Sequence, residues 1–189
     1  MAALDNGGFA AVWSDSGNDG SGYGIFGRRF DASGTAIDAN DLQVNSAISG
    51  TQADAGITGL PDGGFIVTWT SASASGDTSS YGVAGQRFDA SGNKIGTEFL
   101  VNTTTANQQK YPYVTALDDG DFVVAWGSDL QAGDNSELGV YAQRFASPIP
   151  FGTTTTTEHT VSTVTSSSTG EAPFGSDVSF GVGGKSLTL

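Results

Sequence analysis

LPDGGFIVTW, residues 60–69, holds an apolar lead-in, an Asp-Gly turn and a five-residue run, Phe65–Trp69, that is apolar on both faces. Asp62-Gly63 favours positive φ, as a two-residue hairpin turn requires. The run after it does not alternate as a half-exposed strand would, so it is expected to be buried between layers. The stretch returns as LDNGGFAAVW at Leu4–Trp13 and as LDDGDFVVAW at Leu117–Trp126. Phe9, Phe65 and Phe122 thus mark a period of about 56 residues.

Further landmarks recur in the same order. YGIFGRRFDASG starts at Tyr23, YGVAGQRFDASG at Tyr81 and LGVYAQRF at Leu138. DLQVNS surrounds Val44 and TEFLVNT surrounds Val101, with a weaker echo, TEHTVST, around Val161. Each unit reads as four strands. The first precedes the Asp-Gly turn (Gly56–Leu60, Tyr111–Leu117) and the second is the buried run. The third, such as YGVAGQRF, ends at Asp89-Ala90-Ser91-Gly92, and the fourth, FLVN, leads into the next unit. The expected fold is all-β: repeated four-stranded antiparallel meanders forming β-propeller-like blades, with a β-sandwich as the alternative. Whole-unit regularity favours the propeller. Residues 1–145 would hold three repeats (about 4–56, 57–114 and 115–162), and 146–189 a Thr/Ser-rich C-terminal segment available to complete a strand or blade.

Composition agrees with strands and excludes several functions. Of 189 residues 28 are glycine, 37% are apolar and 14% are charged, which suits short strands and tight turns better than helices. Twenty acidic against seven basic side chains give a net charge of −13. Nucleic acid and anionic membranes are therefore disfavoured as partners, and cations, calcium above all, are favoured. There is no cysteine, hence no disulfide or thiolate site. No run of roughly 18 apolar residues predicts membrane insertion.

The pattern GGFxxxW, YGVxGQRFDASG, EFxVNT and Q-x-x-P-x-V resembles a repeat of large secreted bacterial proteins, the type I-exported, calcium-associated (RTX) adhesin-like and hemolysin-like proteins. Gly63, Gly64, Phe65, Trp69, Tyr81–Gly92, Glu98–Asn102, Gln109, Pro112 and Val114 carry the likeness, which covers 4–145. The resemblance implies propeller-like blades and an extracellular or cell-surface location. The glycine-rich calcium nonapeptide that often accompanies such repeats is absent from this sequence.

About three units fall short of the four to eight blades of a closed propeller, and Leu4 stands directly before its turn, leaving the first unit without a first strand. The N-terminal MAALDNGGF has no secretion-signal pattern. Either the chain is a piece of a longer protein, or the open edges are completed by the C-terminal segment or by another copy.

Trp13, Trp69 and Trp126, with Tyr23 and Tyr81, are the aromatic candidates for ligand binding, although recurrence at the end of a buried strand suits a packing role for the tryptophans. Arg29, Arg87 and Arg144 recur in the third strand and suit hydrogen bonds that hold turns or neighbouring blades. The loops Ser14–Gly22, Thr70–Ser80 and Gly127–Glu137 vary, as recognition loops do. Asp15, Asn18, Asp19, Asp129 and Asp134 are their candidate calcium ligands, with Asp15–Gly20 loosely like a calcium loop.

Catalysis has little support: His159 is the only histidine, and Asp118, Asp119 and Asp121 cluster at a turn where Asp is common for conformational reasons. The expected function is a non-catalytic structural or adhesive module of a secreted or surface protein, self-assembling through open strand edges. Its partners would be itself or adjacent repeats. The alternative is a carbohydrate-binding propeller lectin with glycan partners.

Overall fold

A computed structural model describes residues 1–72, 74, 76–77, 80–129 and 139–146, and the backbone of 179–182 and 185–188. Every regular element among them is a β-strand. The first sheet contains β1 (Ala2–Ala3), β2 (Phe9–Ser16), β3 (Tyr23–Phe30) and β4 (Leu42–Gln43). The second contains β5 (Gln52–Gly59), β6 (Phe65–Ser71), β7 (Gly82–Phe88) and β8 (Lys94–Leu100). β9 (Gln109–Ala116), β10 (Phe122–Ser128) and β11 (Gly139–Phe145) form the third, and β12 (Ser179–Val182) pairs with β13 (Lys185–Thr188) as a separate hairpin. In the three main sheets each strand lies antiparallel beside its sequence neighbour, so the expected propeller-like blades are present. Residues 146–178 fall outside the description apart from Ala146, and with them the expected fourth strand around Val161.

Three details differ from the sequence reading. The first strand of the first sheet is not missing: Ala2 and Ala3 pair with Ala10 and Phe9, a two-residue strand in the place where the second sheet has the eight-residue β5. The hairpin turns are also one residue longer than expected. Leu60 N donates to Gly64 O and Gly63 N to Leu60 O, enclosing Pro61, Asp62 and Gly63. This is a type I turn followed by a left-handed residue, and Gly63 takes that place with φ 81°. Finally, β5 and β9 start earlier than the expected strands, at Gln52 and Gln109, because each passes through a bulge. The bulged residues Asp54 and Tyr111 have φ 55° and 58°, a strained choice for non-glycine residues that bends the strand.

The sheets stack face to face through two cores. Leu4, Ala10, Ile25 and Val44 of the first sheet pack against Phe65, Val67, Trp69 and Phe88 of the second. One repeat later Leu60, Ile66, Val83 and Val101 meet Phe122, Val124 and Trp126, with Phe145 against them. β6 is buried along its whole length, as its two-sided apolar run requires: Phe65, Val67 and Trp69 face one neighbour and Ile66 the other. A stacked phenylalanine pair recurs in each sheet, Phe9–Phe30, Phe65–Phe88 and Phe122–Phe145, with centroids 4.8, 4.7 and 5.0 Å apart.

Candidate functional site

Trp69 and Trp126 are buried in the two inter-sheet cores. Their indole N–H groups have no acceptor among the described residues, so what these rings contribute is packing. Trp13 holds the same repeat position but is only half-buried. Tyr23 is 49% exposed at the start of β3. Tyr81 is less open: Lys110 Nζ stands 4.2 Å from its ring centroid, and its carbonyl accepts a hydrogen bond from Gln109 N. The five aromatic candidates are thus distributed over three sheets and do not converge on one pocket.

The acidic candidates separate in a similar way. Asp15 lies on β2, paired with Gly24, because the strand continues to Ser16. Asn18 is exposed in the following turn. Asp19 turns inward and is buried: Oδ1 accepts from Ser21 N at 3.0 Å, and Oδ2 accepts from Asn45 Nδ2 at 3.2 Å. Asp129 is half-buried, and its amide donates to Gln108 O. Asp134 lies outside the described residues. Among the described residues no three Asp, Glu or His side chains gather as metal ligands would.

Asp19 belongs instead to a polar latch that recurs. Asn45 Oδ1 accepts from the Ile25 amide at 2.8 Å, while its Nδ2 donates to Asp19, to Ala47 O and to Gln52 Oε1. Gln52 Nε2 then donates to Ser49 O. In the second sheet Asn102 accepts from Val83 N at 2.7 Å and donates to Asp77, Thr104 O and Gln109 Oε1, and Gln109 donates to Ala106 O. Asn45, Gln52, Asn102 and Gln109 are all buried, and a buried amide is tolerated only when its hydrogen bonds are made. Each latch ties a β2–β3-type loop, the end of one sheet and the first strand of the next. In the sequence, Val-Asn and the following Gln stand out as landmarks with no evident role; the recurrence of polar residues in an otherwise apolar setting is the signal that points to one.

The three arginines grip turns. Arg87 pairs with Asp62 of the β5–β6 turn, and Arg144 with Asp119 and Asp121 of the β9–β10 turn. Asn6 replaces the turn aspartate in the first sheet, and Arg29 pairs with Asp38 instead, both side chains being about nine-tenths buried. Burial works against the Asp38 carboxylate, but the hydrogen bonds and charge of Arg29 outweigh it and hold its pKa below the ordinary value. Arg29 Nη1 also donates to Ala90 O, in the second sheet, at 2.7 Å.

No known protein family matches this sequence, and no curated protein matches it. Among solved structures, the chain is similar to the crystal structure of a thermostable family-43 glycoside hydrolase, at 7% identity and a TM-score of 0.46. The match covers 78% of this chain and 54% of the hydrolase, so the chain spans about half the length of that structure.

Proposed function

We propose that this chain is a non-catalytic structural module, of the adhesive kind, in a secreted or surface protein, and that it joins other copies or adjacent repeats through open strand edges. The supporting observation is the mismatch at the ends of the stack. β1 pairs only with Phe9 and Ala10, so β2 from Ala11 to Ser16 has no outer ladder partner among the described residues. β11 ends the third sheet in the same condition. Unpaired strand edges favour addition of another strand. The recurring arginines and buried amides hold turns and join sheets, which is the investment a structural repeat makes. Size-exclusion chromatography with light scattering tests the joining of copies: a mass above one chain supports it, and a single-chain mass across the micromolar range rejects it.

A second reading, a glycan-binding propeller, draws on Tyr23, Tyr111 and Tyr113, which are exposed and offer amphipathic ring faces. Reproducible binding to one sugar class on a glycan array, lost in Tyr113→Ala or Tyr23→Ala, would favour it over the first.

A further inference from the structure

Every main sheet has a front face and a rear face, and the internal junctions show what each one meets. The front of one sheet, with Ile25 or Val83 at its centre, receives the Phe/Trp rear of the next. Two faces of these same types have no such neighbour among the described residues. The rear of the first sheet presents Phe9, Ala11, Trp13 and Phe30, all half-buried. The front of the third presents Val123, Ala125 and Val140, which register places together.

Position-by-position comparison makes the vacancy specific. Val140 occupies the place of Ile25 and Val83; those two are 0% exposed and Val140 is 60% exposed. Trp13 occupies the place of Trp69, which is fully buried. A polar contact accompanies the apolar one at the first junction. At the first junction Arg29, on a front face, reaches the turn Asp89–Gly92, donating to Ala90 O and lying 2.8 Å from where a Cβ on Gly92 would stand. The turn Asp31–Gly34 has the identical sequence, DASG, and the space over Gly34 is open. Arg144 is the front-face counterpart of Arg29 in the third sheet.

We propose that a second copy of this chain seats its third-sheet front face, Val123, Ala125 and Val140, on the first-sheet rear face, Phe9, Trp13 and Phe30, with Arg144 taking the carbonyl of Ala32. The contact continues the internal junction from one chain to the next. It rests on the reading of self-assembly and places the contact on sheet faces rather than strand edges. The two surfaces differ, so the contact is head-to-tail and extends a stack or closes a ring. The net charge of −13 opposes association, and physiological salt screens that repulsion.

The test is complementation between Trp13→Glu, which spoils the rear face, and Val140→Glu, which spoils the front. By light scattering at physiological salt the unmodified chain is expected above single-chain mass, each variant alone at one chain, and an equimolar mixture at two chains, since each partner keeps one good face. Arg144→Ala is expected to weaken assembly by about tenfold. Circular dichroism checks that the variants are folded, and Ala11→Glu replaces Trp13→Glu if that one is not. An assembled parent whose mass neither variant changes overturns the inference and leaves edge-to-edge assembly standing. Folded single variants whose mixture stays at one chain overturn it too. A parent at single-chain mass removes both this inference and the reading it rests on.

Discussion

Asn102 Nδ2 and Gln109 Oε1 lie 3.3 Å apart, and Asn45 and Gln52 repeat the contact at the same 3.3 Å one unit earlier. In each pair the Asn follows the last strand of one sheet and the Gln opens the first strand of the next. The step from sheet to sheet is therefore fixed by a buried amide pair as well as by apolar packing. A buried polar network specifies one arrangement, because any shift leaves several groups unsatisfied together.

Asn102→Ala is expected to destabilise the chain by about 2–4 kcal/mol, because it orphans the Val83 amide, Gln109 Oε1 and one bond to Asp77 in a buried site. Urea unfolding followed by tryptophan fluorescence measures this. A loss below about 0.5 kcal/mol would mean that the latch contributes no net stability.

The latch also explains the Tyr-Gly step at the start of the third strand. A Cβ on Gly82 would stand 2.6 Å from Asp77 Oδ2, and one on Gly24 would stand 2.7 Å from Asp19 Oδ2. Gly82→Ala should therefore displace Asp77 and loosen the Asn102 hub, costing about 1–3 kcal/mol. Combined with Asn102→Ala it should cost less than the sum of the two, since both act on one network. A double-mutant cycle with additive costs would break that link.

Strand identity and repeat phase were readable because FIVTW and its relatives are apolar on both faces and bounded by Gly-containing turns. Strand starts were not, because the bulges at Asp54 and Tyr111 use left-handed backbone at residues that do not announce it. Trp13, Trp69 and Trp126 look alike in sequence, and their different burial depends only on whether another sheet lies behind them. Asp19 looked like a cation ligand because its loop is polar. Its inward turn depends on Asn45 (26 residues further on), a pairing that local pattern does not carry.

Arg29 and Asp38 form an ion pair with side chains only 10% and 9% exposed, backed by a hydrogen bond from Arg29 N. Removing one partner of such a pair leaves the other charge poorly solvated, so Arg29→Ala is expected to cost about 3 kcal/mol. Arg29→Lys should recover only part of that, since an ammonium cannot hold both Asp38 and Ala90 O with the guanidinium's geometry. Full rescue by lysine in urea unfolding would reduce the pair to a point-charge contact.

Acid should weaken the fold through the same carboxylate. Asp38 has a folded-state pKa below its unfolded value, and Asp31 and Asp89, held mainly by side-chain hydrogen bonds from Ser33 and Asn93, are lowered likewise. For depressed carboxylates the stabilising contribution is complete above the unfolded pKa and disappears as pH falls through the folded one. The urea midpoint should therefore hold steady from neutral pH to about pH 5 and fall below about pH 4. Asp38→Asn should flatten part of that fall. An unchanged slope in Asp38→Asn would assign the acid sensitivity to other carboxylates.

Trp69 and Trp13 separate core packing from the open rear face. Trp69→Ala removes a fully buried ring from the first junction and is expected to cost about 3–5 kcal/mol at any protein concentration. Trp13→Ala removes a half-buried ring from a face with no neighbouring sheet among the described residues, so in dilute solution it should cost about 1 kcal/mol. If a second chain covers that face, the penalty should grow with protein concentration, because binding stabilises the parent by mass action and the variant forgoes it. Melting temperatures over a hundredfold concentration range make the comparison. A Trp13→Ala penalty that stays constant over that range would place Trp13 within the single chain's own stability and leave the rear face unoccupied by a partner.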